Sequence, residues 1–292
     1  ELESTADRVP VDRESLGGYP GSMVEPQRSP DDADLLGTAA DVAIPALLER
    51  HGGMLYALGR KLCHSEEDAD DLVQEIFLNA YRAWPKFEGR SRVTTWLYTI
   101  AAHACQRLHR RRAGEPDRIA SYEELLPFGE PGVPATPSDE SPEAEQFRRE
   151  GIERLEEAIA SLPIEFRMPL VLKEIVGLPL VDIAGILAVQ EGTVKSRLHR
   201  GRLKLREAVL AGATFEEAPA PEYSRQVCLD LLEAKQDALD RGVNFDADGI
   251  VCERCRSVFA SLDFTEDLCR RIGAGAELPG DVHTAILERI AS

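Results

Sequence analysis

The chain has 292 residues and a formal net charge of −18 at pH 7, and 43% of its residues are hydrophobic whereas 6% are aromatic. A chain of this length accommodates two or three small domains, and the scarcity of aromatic residues is more typical of helical modules with Leu, Ala and Val cores than of a β-sandwich. It holds no apolar run near the ~18–20 residues of a membrane span and no recognisable signal peptide, so we expect no membrane partner and a cytoplasmic location.

The acidic average conceals two basic segments. Residues 82–112 carry eight Lys or Arg side chains against one acid, and residues 191–206 carry six against one. Residues 1–40 and 211–292 are net acidic. This distribution is expected of a chain in which only certain helices contact nucleic-acid phosphates.

In chain order, residues 1–36 mix Pro, Gly, Ser and acids without apolar periodicity, which predicts a disordered leader. Residues 37–113 repeat apolar side chains at spacings of three and four, which predicts helices. Within them, Ser65 followed by three acidic residues predicts a helix N-terminus. Residues 114–148 contain six prolines and are predicted to be an extended linker.

Helical periodicity resumes over residues 149–211. Two prolines mark a second, shorter linker at residues 212–222, and residues 223–292 are again helical in pattern. The predicted fold class is therefore all-α, with two small helical domains followed by a small helical C-terminal domain.

Residues 179–206 have the pattern of a helix-turn-helix. Ile183 and Leu187 give a first helix its apolar face, and residues 188–190 make a short turn before a second helix. A second, recognition helix inserts its N-terminal end into the major groove, where Arg and Lys reach guanine edges or phosphates. Lys195, Ser196, Arg197, His199 and Arg200 are expected to face solvent at the N-terminal end of this helix, and the candidates for DNA contact are these five residues and Arg202. An ordinary helical hairpin with a solvated basic face is the alternative.

Residues 161–205 resemble domain four of extracytoplasmic-function sigma factors, most closely at residues 191–202, EGTVKSRLHRGR. In that family this helix reads the minus-thirty-five promoter element. The resemblance implies that the six candidates just named contact promoter DNA.

Residues 68–112 independently resemble domain two of the same family. The resemblance implies that the acidic helix binds core RNA polymerase through Asp68, Asp71, Leu72, Glu75 and Ile76. Residues 87–92 resemble the loop that captures a flipped base of the minus-ten element, for which a nearby cation anchors the backbone. The DNA-contacting candidates in this domain are Arg90, Arg92, Arg107, Arg110, Arg111 and Arg112, whereas Trp96 is expected to pack in the core.

Four of the six cysteines lie in the last 65 residues, a clustering that favours a metal or redox site in a reducing cytoplasm. Cys252 and Cys255 form a C-x2-C pair on one helical turn. Residues 227–255 resemble the zinc-binding fold of anti-sigma factors, which implies one zinc or copper ion. The implied ligands are Cys228, Cys252 and Cys255, with Asp248 where the family has His, and Cys269 and His283 are more remote candidates. A thiol redox switch and buried free cysteines are the alternatives.

The sequence therefore predicts a non-enzymatic sigma factor that binds core RNA polymerase and promoter DNA. Its C-terminal domain is expected to act as an anti-sigma module in cis, packing against the sigma domains partly through opposite charge. A stand-alone helix-turn-helix regulator is a second hypothesis, but it would not need residues 68–112. A thiol oxidoreductase using the C-x2-C pair is a third, disfavoured because no βαβ pattern surrounds that pair.

Overall fold

The computed structural model describes residues 32–63, 65–110, 119–127, 132–134, 142–217, 220, 222–245, 251–272 and 277–291. Its α-helices are α1 (Ala40–Leu62), α2 (Glu66–Ala83), α3 (Val93–Arg110), α4 (Tyr122–Leu125), α5 (Pro142–Ser161), α6 (Ile164–Leu170), α7 (Leu180–Leu187), α8 (Glu191–Val209), α9 (Arg225–Arg241), α10 (Glu253–Arg271) and α11 (Gly280–Ala291). Short 3-10 helices lie at Asp32–Leu35, Trp84–Lys86 and Leu210–Gly212, and a π-helical turn lies at Val171–Ile175. Two strands of three residues, β1 (Gly132–Pro134) and β2 (Phe215–Glu217), are the other regular elements described, so the expected all-α fold class is confirmed.

None of the described helices combines the length and the apolar character that a bilayer crossing requires.

Helices α1, α2 and α3 form the first bundle. Helix α2 begins where the sequence predicts, because Ser65 Oγ accepts a hydrogen bond from the backbone N–H of Asp68 and three acidic residues occupy the first turn. The apolar faces of the three helices meet in a core whose largest fully buried members include Ile44, Leu47, Leu55, Leu62, Leu72, Ile76, Phe77 and Leu97.

Helices α5 to α8 form the second bundle, which contains the predicted helix-turn-helix. Helix α7 ends as Ala188 adopts a left-handed conformation, with φ 53° and ψ 43°, and α8 begins at residue 191. Val194 and Leu198 are fully buried, as the periodicity predicts. Gly201 permits close contact with α6, because a Cβ at this position would lie 2.6 Å from Leu170 Cδ1.

The leader and both linkers hold more structure than the sequence predicts. Residues 1–31 lie outside the described residues, but 32–35 form a 3-10 helix with Leu35 buried, so the predicted disordered leader ends too late. Part of the first linker folds into α4, because Ser121 and Glu124 cap each other's backbone N–H groups. Its strand β1 pairs antiparallel with β2 of the second linker, and α5 already begins within the predicted linker at Pro142, a favoured first helical residue.

The two bundles pack directly against each other. Arg167 of α6 is fully buried, and its guanidinium donates to the backbone carbonyls of Leu62 at 2.7 Å and Leu162 at 2.8 Å. The Leu62 carbonyl ends α1, so Arg167 ties the second bundle to a helix C-terminus of the first. Ion pairing of Lys61 with Glu156 adds a surface contact between α1 and α5.

The C-terminal helices do not form a separate body, since they pack on both bundles. Helix α10 contacts α5 and α8, and α11 contacts α1 and α2. A second apolar core lies between α8, α9, α10 and the linker helix α4. It contains Leu203 of α8 and Leu125 of α4 together with the buried cysteines of the tail.

Candidate nucleic-acid interface and the segment that covers it

The predicted DNA-reading face of α8 is covered by α9. Lys195 Nζ lies 2.6 Å from Asp237 Oδ1, and His199 Nε2 lies 3.1 Å from Asp240 Oδ2. Arg202 reaches the same carboxylate, with Nη1 2.7 Å from Asp240 Oδ1. His199 is 7% exposed, so the expectation that it faces solvent is wrong for this conformation, and Arg202, a predicted DNA contact, is 4% exposed.

Asp240 is the centre of this ion-pair network. Burial alone would raise the pKa of Asp240, but the hydrogen bond with His199 and the charge of Arg202 outweigh burial and hold that pKa below its usual range. Arg202 also pairs with Glu174 at 2.8 Å, and Lys173 donates to the Asp240 backbone carbonyl at 2.7 Å. One face of α9 therefore holds three cations of the helix-turn-helix domain, Lys173, Lys195 and Arg202, together with His199.

The linker covers a further cation of the same face. Arg200 donates to the backbone carbonyls of Ile119 at 3.3 Å and Ala120 at 3.2 Å, and its guanidinium lies 4.7 Å from the centre of the Phe166 ring. By contrast, Ser196 is exposed, and Arg197 has a loose contact of 3.9 Å with Glu165 of its own domain. Four of the six predicted DNA contacts on α8 are thus engaged by the tail or the linker.

In the first bundle, the DNA-contacting candidates Arg90, Arg92 and Arg107 are exposed or pair within the bundle. Arg90 and Arg92 are exposed, and Arg90 pairs with the neighbouring Glu88. Arg107 donates to Glu75 Oε1 at 2.7 Å across α2 and α3. Arg110 is the last residue of α3, whereas Arg111 and Arg112 lie outside the described residues.

The predicted polymerase-binding face of α2 is divided by the structure. Leu72 and Ile76 are 1% and 0% exposed and belong to the bundle core, so they do not present a contact surface. Their periodicity is that of the buried stripe of an amphipathic helix. Asp71 is exposed, and Asp68 and Glu75 are half-buried, which leaves these three carboxylates as the accessible candidates.

Helix α11 lies over the same region. Its own side chains Val282 and Ile286 are buried, and Arg289 Nη1 donates to Gln74 Oε1 of α2 at 2.9 Å. His283 Nε2 lies 2.8 Å from Glu49 Oε1 of α1. This contact places His283 in the α1–α11 interface and not at the cysteines, which corrects its candidacy as a metal ligand.

The cysteines of the tail separate into a cluster and an outlier. Cys228, Cys252 and Cys255 are all at most 4% exposed and share the second core, and the Cys255 thiol contacts both of the others. Cys269 lies in the main core instead. Because α10 runs unbroken between them, Cys269 is about 21 Å from Cys255 along the helix, so it does not join the cluster.

The thiols of the cluster differ in acidity. Burial opposes ionisation of Cys252, but backbone N–H groups, first that of Cys255 and then that of Glu222, outweigh burial and lower the pKa of Cys252. Burial and the two neighbouring thiols raise the pKa of Cys255. Three buried thiols, one on α9 and two at the start of α10, offer the donor type of a structural zinc site, which takes four ligands. Their sulfur atoms do not all lie within 4.8 Å of one another, so the described residues do not form a closed site. Asp248, the expected fourth ligand, lies outside the described residues.

A different group places three ligand atoms within 4.8 Å of one another among the described residues, namely His199, Asp237 and Asp240. Its carboxylates are already neutralised by Lys195 and Arg202, so an ion-pair network explains it better than a cation site. Sequence reasoning missed Asp237 and Asp240. Their three-residue spacing on one face of a helix was the available signal, but nothing local indicates which helix they meet.

Two family models match the two bundles. Residues 47–115 match the family model Sigma-70 region 2, and residues 152–205 match Sigma-70, region 4. The chain is 35% identical over 207 residues to the ECF RNA polymerase sigma factor SigE of Mycolicibacterium smegmatis, covering 68% of this chain and 76% of that one. It is 33% identical over 168 residues to the RNA polymerase sigma-H factor of Pseudomonas aeruginosa, covering 57% and 86%. The solved structure of CnrH in complex with the cytosolic domain of CnrY is similar at 25% identity and a TM-score of 0.43, covering 62% and 97%.

Proposed function

Since this chain belongs to the extracytoplasmic-function group of sigma-70 factors and so directs RNA polymerase to promoters, we propose that its last segment, residues 223–292, inhibits it in cis. A stand-alone helix-turn-helix regulator would not need the segment that matches region 2. The factor would act in the cytoplasm, where core polymerase and promoter DNA are found.

The observation that carries the proposal is the pairing of α9 carboxylates with α8 cations. Phosphates and bases would compete with Asp237 and Asp240 for Lys195, His199 and Arg202, so the docked tail and bound promoter DNA exclude each other. The equilibrium between docked and released tail then sets how much of the protein can read a promoter.

Helix α11 supports a second level of inhibition. It occupies the surface formed by α1 and α2, where the accessible carboxylates of the predicted polymerase contact lie. A docked α11 would hinder the core enzyme at α2 while α9 hinders DNA at α8. Release of the whole tail would therefore be needed for full activity.

The thiol cluster is a candidate for the metal-binding element that controls release of the tail. In this proposal Cys228, Cys252 and Cys255, with Asp248 as the fourth ligand, hold one zinc or copper ion that cross-links α9 to the start of α10. Asp is a harder ligand than His or Cys and would weaken a thiolate-rich site. Because the thiols share a core with Leu203 of α8, loss of the ion would loosen the tail against the recognition helix.

A charge reversal tests the inhibition. Asp237→Lys places two cations together in the α8–α9 contact, whereas Asp230→Lys makes the same change on the exposed face of α9. We expect run-off transcription with core RNA polymerase to rise for Asp237→Lys and to stay at the wild-type level for Asp230→Lys. Equal transcription from all three proteins would contradict inhibition by the docked tail.

Elemental analysis of the purified protein tests the metal separately. We expect close to one equivalent of zinc or copper in the wild type and a large loss in Cys252→Ser. Cys105→Ser is the matched control, since Cys105 is equally buried but lies in α3 of the first bundle. Absence of metal from the wild type, purified without chelator, would remove the metal part of the proposal and leave the inhibition untouched.

A further inference from the structure

A short segment that precedes α1, residues 32–38, is fastened to that helix by a set of ion pairs. Asp32 Oδ2 lies 2.8 Å from His51 Nε2, and both side chains are buried. Arg50 donates to both carboxylate oxygens of Asp34, at 2.8 and 2.7 Å. The segment is therefore held in place even though its composition resembles that of the acidic leader.

The other side of this segment contacts the loop expected to capture a promoter base, residues 87–92. The indole N–H of Trp84, at the base of the loop, donates to the Thr38 carbonyl at 3.0 Å. Gly89, within the loop, adopts a left-handed φ of 69°, and a Cβ there would lie 3.4 Å from Leu36 Cδ1. Leu36 thus lies against the loop at its glycine.

Among the residues that the structure describes, the other packing of the loop is at its base. Its base is an aromatic cluster in which Trp84 and Trp96 each contact Phe87, with ring centres 5.5 and 4.7 Å apart. Beyond Phe87, residues 88–92 are all exposed. An exposed loop loses conformational freedom when it binds a ligand, and contacts that hold it beforehand reduce that entropic cost.

We propose that Leu36, together with the Thr38 carbonyl, braces the loop 87–92 in the conformation that captures a flipped base of the minus-ten element. Leu36 is then a positioning residue for promoter opening. The inference rests on the expected role of the loop, and it adds a contribution from Leu36, which sequence patterning assigns to a disordered leader ending at residue 36.

The test compares variants in the full chain carrying Asp237→Lys, so that a docked tail does not mask the promoter. Leu36→Ala removes the contact with Gly89, and Leu36→Met keeps an apolar side chain there. Val42→Ala is the control, because Val42 is also an exposed apolar residue and lies on α1. Leu36 is 45% exposed, so its truncation leaves the core intact. The rate of promoter opening with core polymerase is measured on an intact duplex and on duplexes with an abasic nucleotide at each minus-ten position in turn.

The parent is the full chain carrying Asp237→Lys alone. We expect it to open the duplex that lacks the captured base about tenfold more slowly than the intact duplex, because base stacking and contacts are lost. Leu36→Ala should open the intact duplex nearly as slowly, with little further loss on the abasic one, whereas Leu36→Met and Val42→Ala should match the parent. The brace would be overturned if Leu36→Ala slowed opening by the same factor on every template. It would also be overturned if Leu36→Ala opened the intact duplex at the parent's rate and lost as much rate on the abasic duplex as the parent does. A parent insensitive to every abasic position would instead overturn base capture by the loop, and the brace with it.

Discussion

Replacing Asp240 by alanine should release the recognition helix in the full-length protein. The Asp240 side chain is 3% exposed and lies 2.7 Å from Arg202 and 3.1 Å from His199. In the docked state its removal leaves the buried Arg202 with Glu174 as its carboxylate partner at 2.8 Å. In the released state the same cations are solvated, so the change acts on the docked state alone.

The magnitude follows from the burial of the pair. Removing one partner of a buried ion pair costs about 3–5 kcal/mol, and the remaining contact with Glu174 favours the lower end of that range. A cost of about 3 kcal/mol shifts the ratio of released to docked protein by about 150-fold. Asp240→Asn keeps a hydrogen-bonding side chain and should have a smaller effect.

Fluorescence anisotropy with a labelled minus-thirty-five duplex measures this shift at fixed ionic strength, which must be held constant because phosphate contacts are salt-dependent. We expect Asp240→Ala to bind more tightly than wild type, with Asp230→Ala on the exposed face of α9 unchanged. If Asp240→Ala lowers the melting temperature but leaves DNA affinity at the wild-type value, the α8–α9 contact stabilises the fold without controlling access, and the reasoning fails.

Three further changes have signs fixed by the structure. Ile286→Ala removes a fully buried side chain of α11, so it should weaken docking of α11 and raise the affinity for core polymerase, whereas Thr284→Ala on the exposed side of the same helix should not; equal affinities would contradict masking of α2. Ala188→Gly removes the left-handed strain at φ 53° and should raise stability by about 1 kcal/mol, or about 2–4 °C in Tm, and a lower Tm in thermal melts would refute this. Burial, followed by the charge of Glu174, raises the pKa of Glu266, so folding favours its protonated form and stability falls as pH rises through the interval between the unfolded and folded values. Glu266→Gln should therefore gain more Tm over wild type at pH 7.5 than at pH 4.5, and an equal gain at both values would show that the carboxyl does not titrate with folding.

Much of the architecture could be predicted because its signals are local. Ser65 begins α2 by capping it, and the apolar spacing of Val194 and Leu198 fixes which face of α8 is buried. A capping-box pattern at Ser121 and Glu124 was also present, and it explains why the proline-rich linker contains α4.

The packing of α9 over the predicted DNA-reading face of α8 could not be predicted in the same way. Lys195 and Asp237 are 42 positions apart, and no periodicity or spacing indicates that their helices meet. The expectation of solvent exposure on α8 was correct for Ser196 but wrong for His199, because a basic face can be solvated or paired with an acidic helix from elsewhere in the chain. The net acidity of the tail indicated only that such pairing was electrostatically favourable.

The most direct measurement of the central claim is the affinity for a minus-thirty-five duplex of the full-length chain and of the same chain ending at residue 217, which keeps β2. If the tail inhibits in cis, the shortened chain binds at least about tenfold more tightly, because α8 regains its solvated cations. Equal affinities for the two proteins at the same ionic strength would contradict the account.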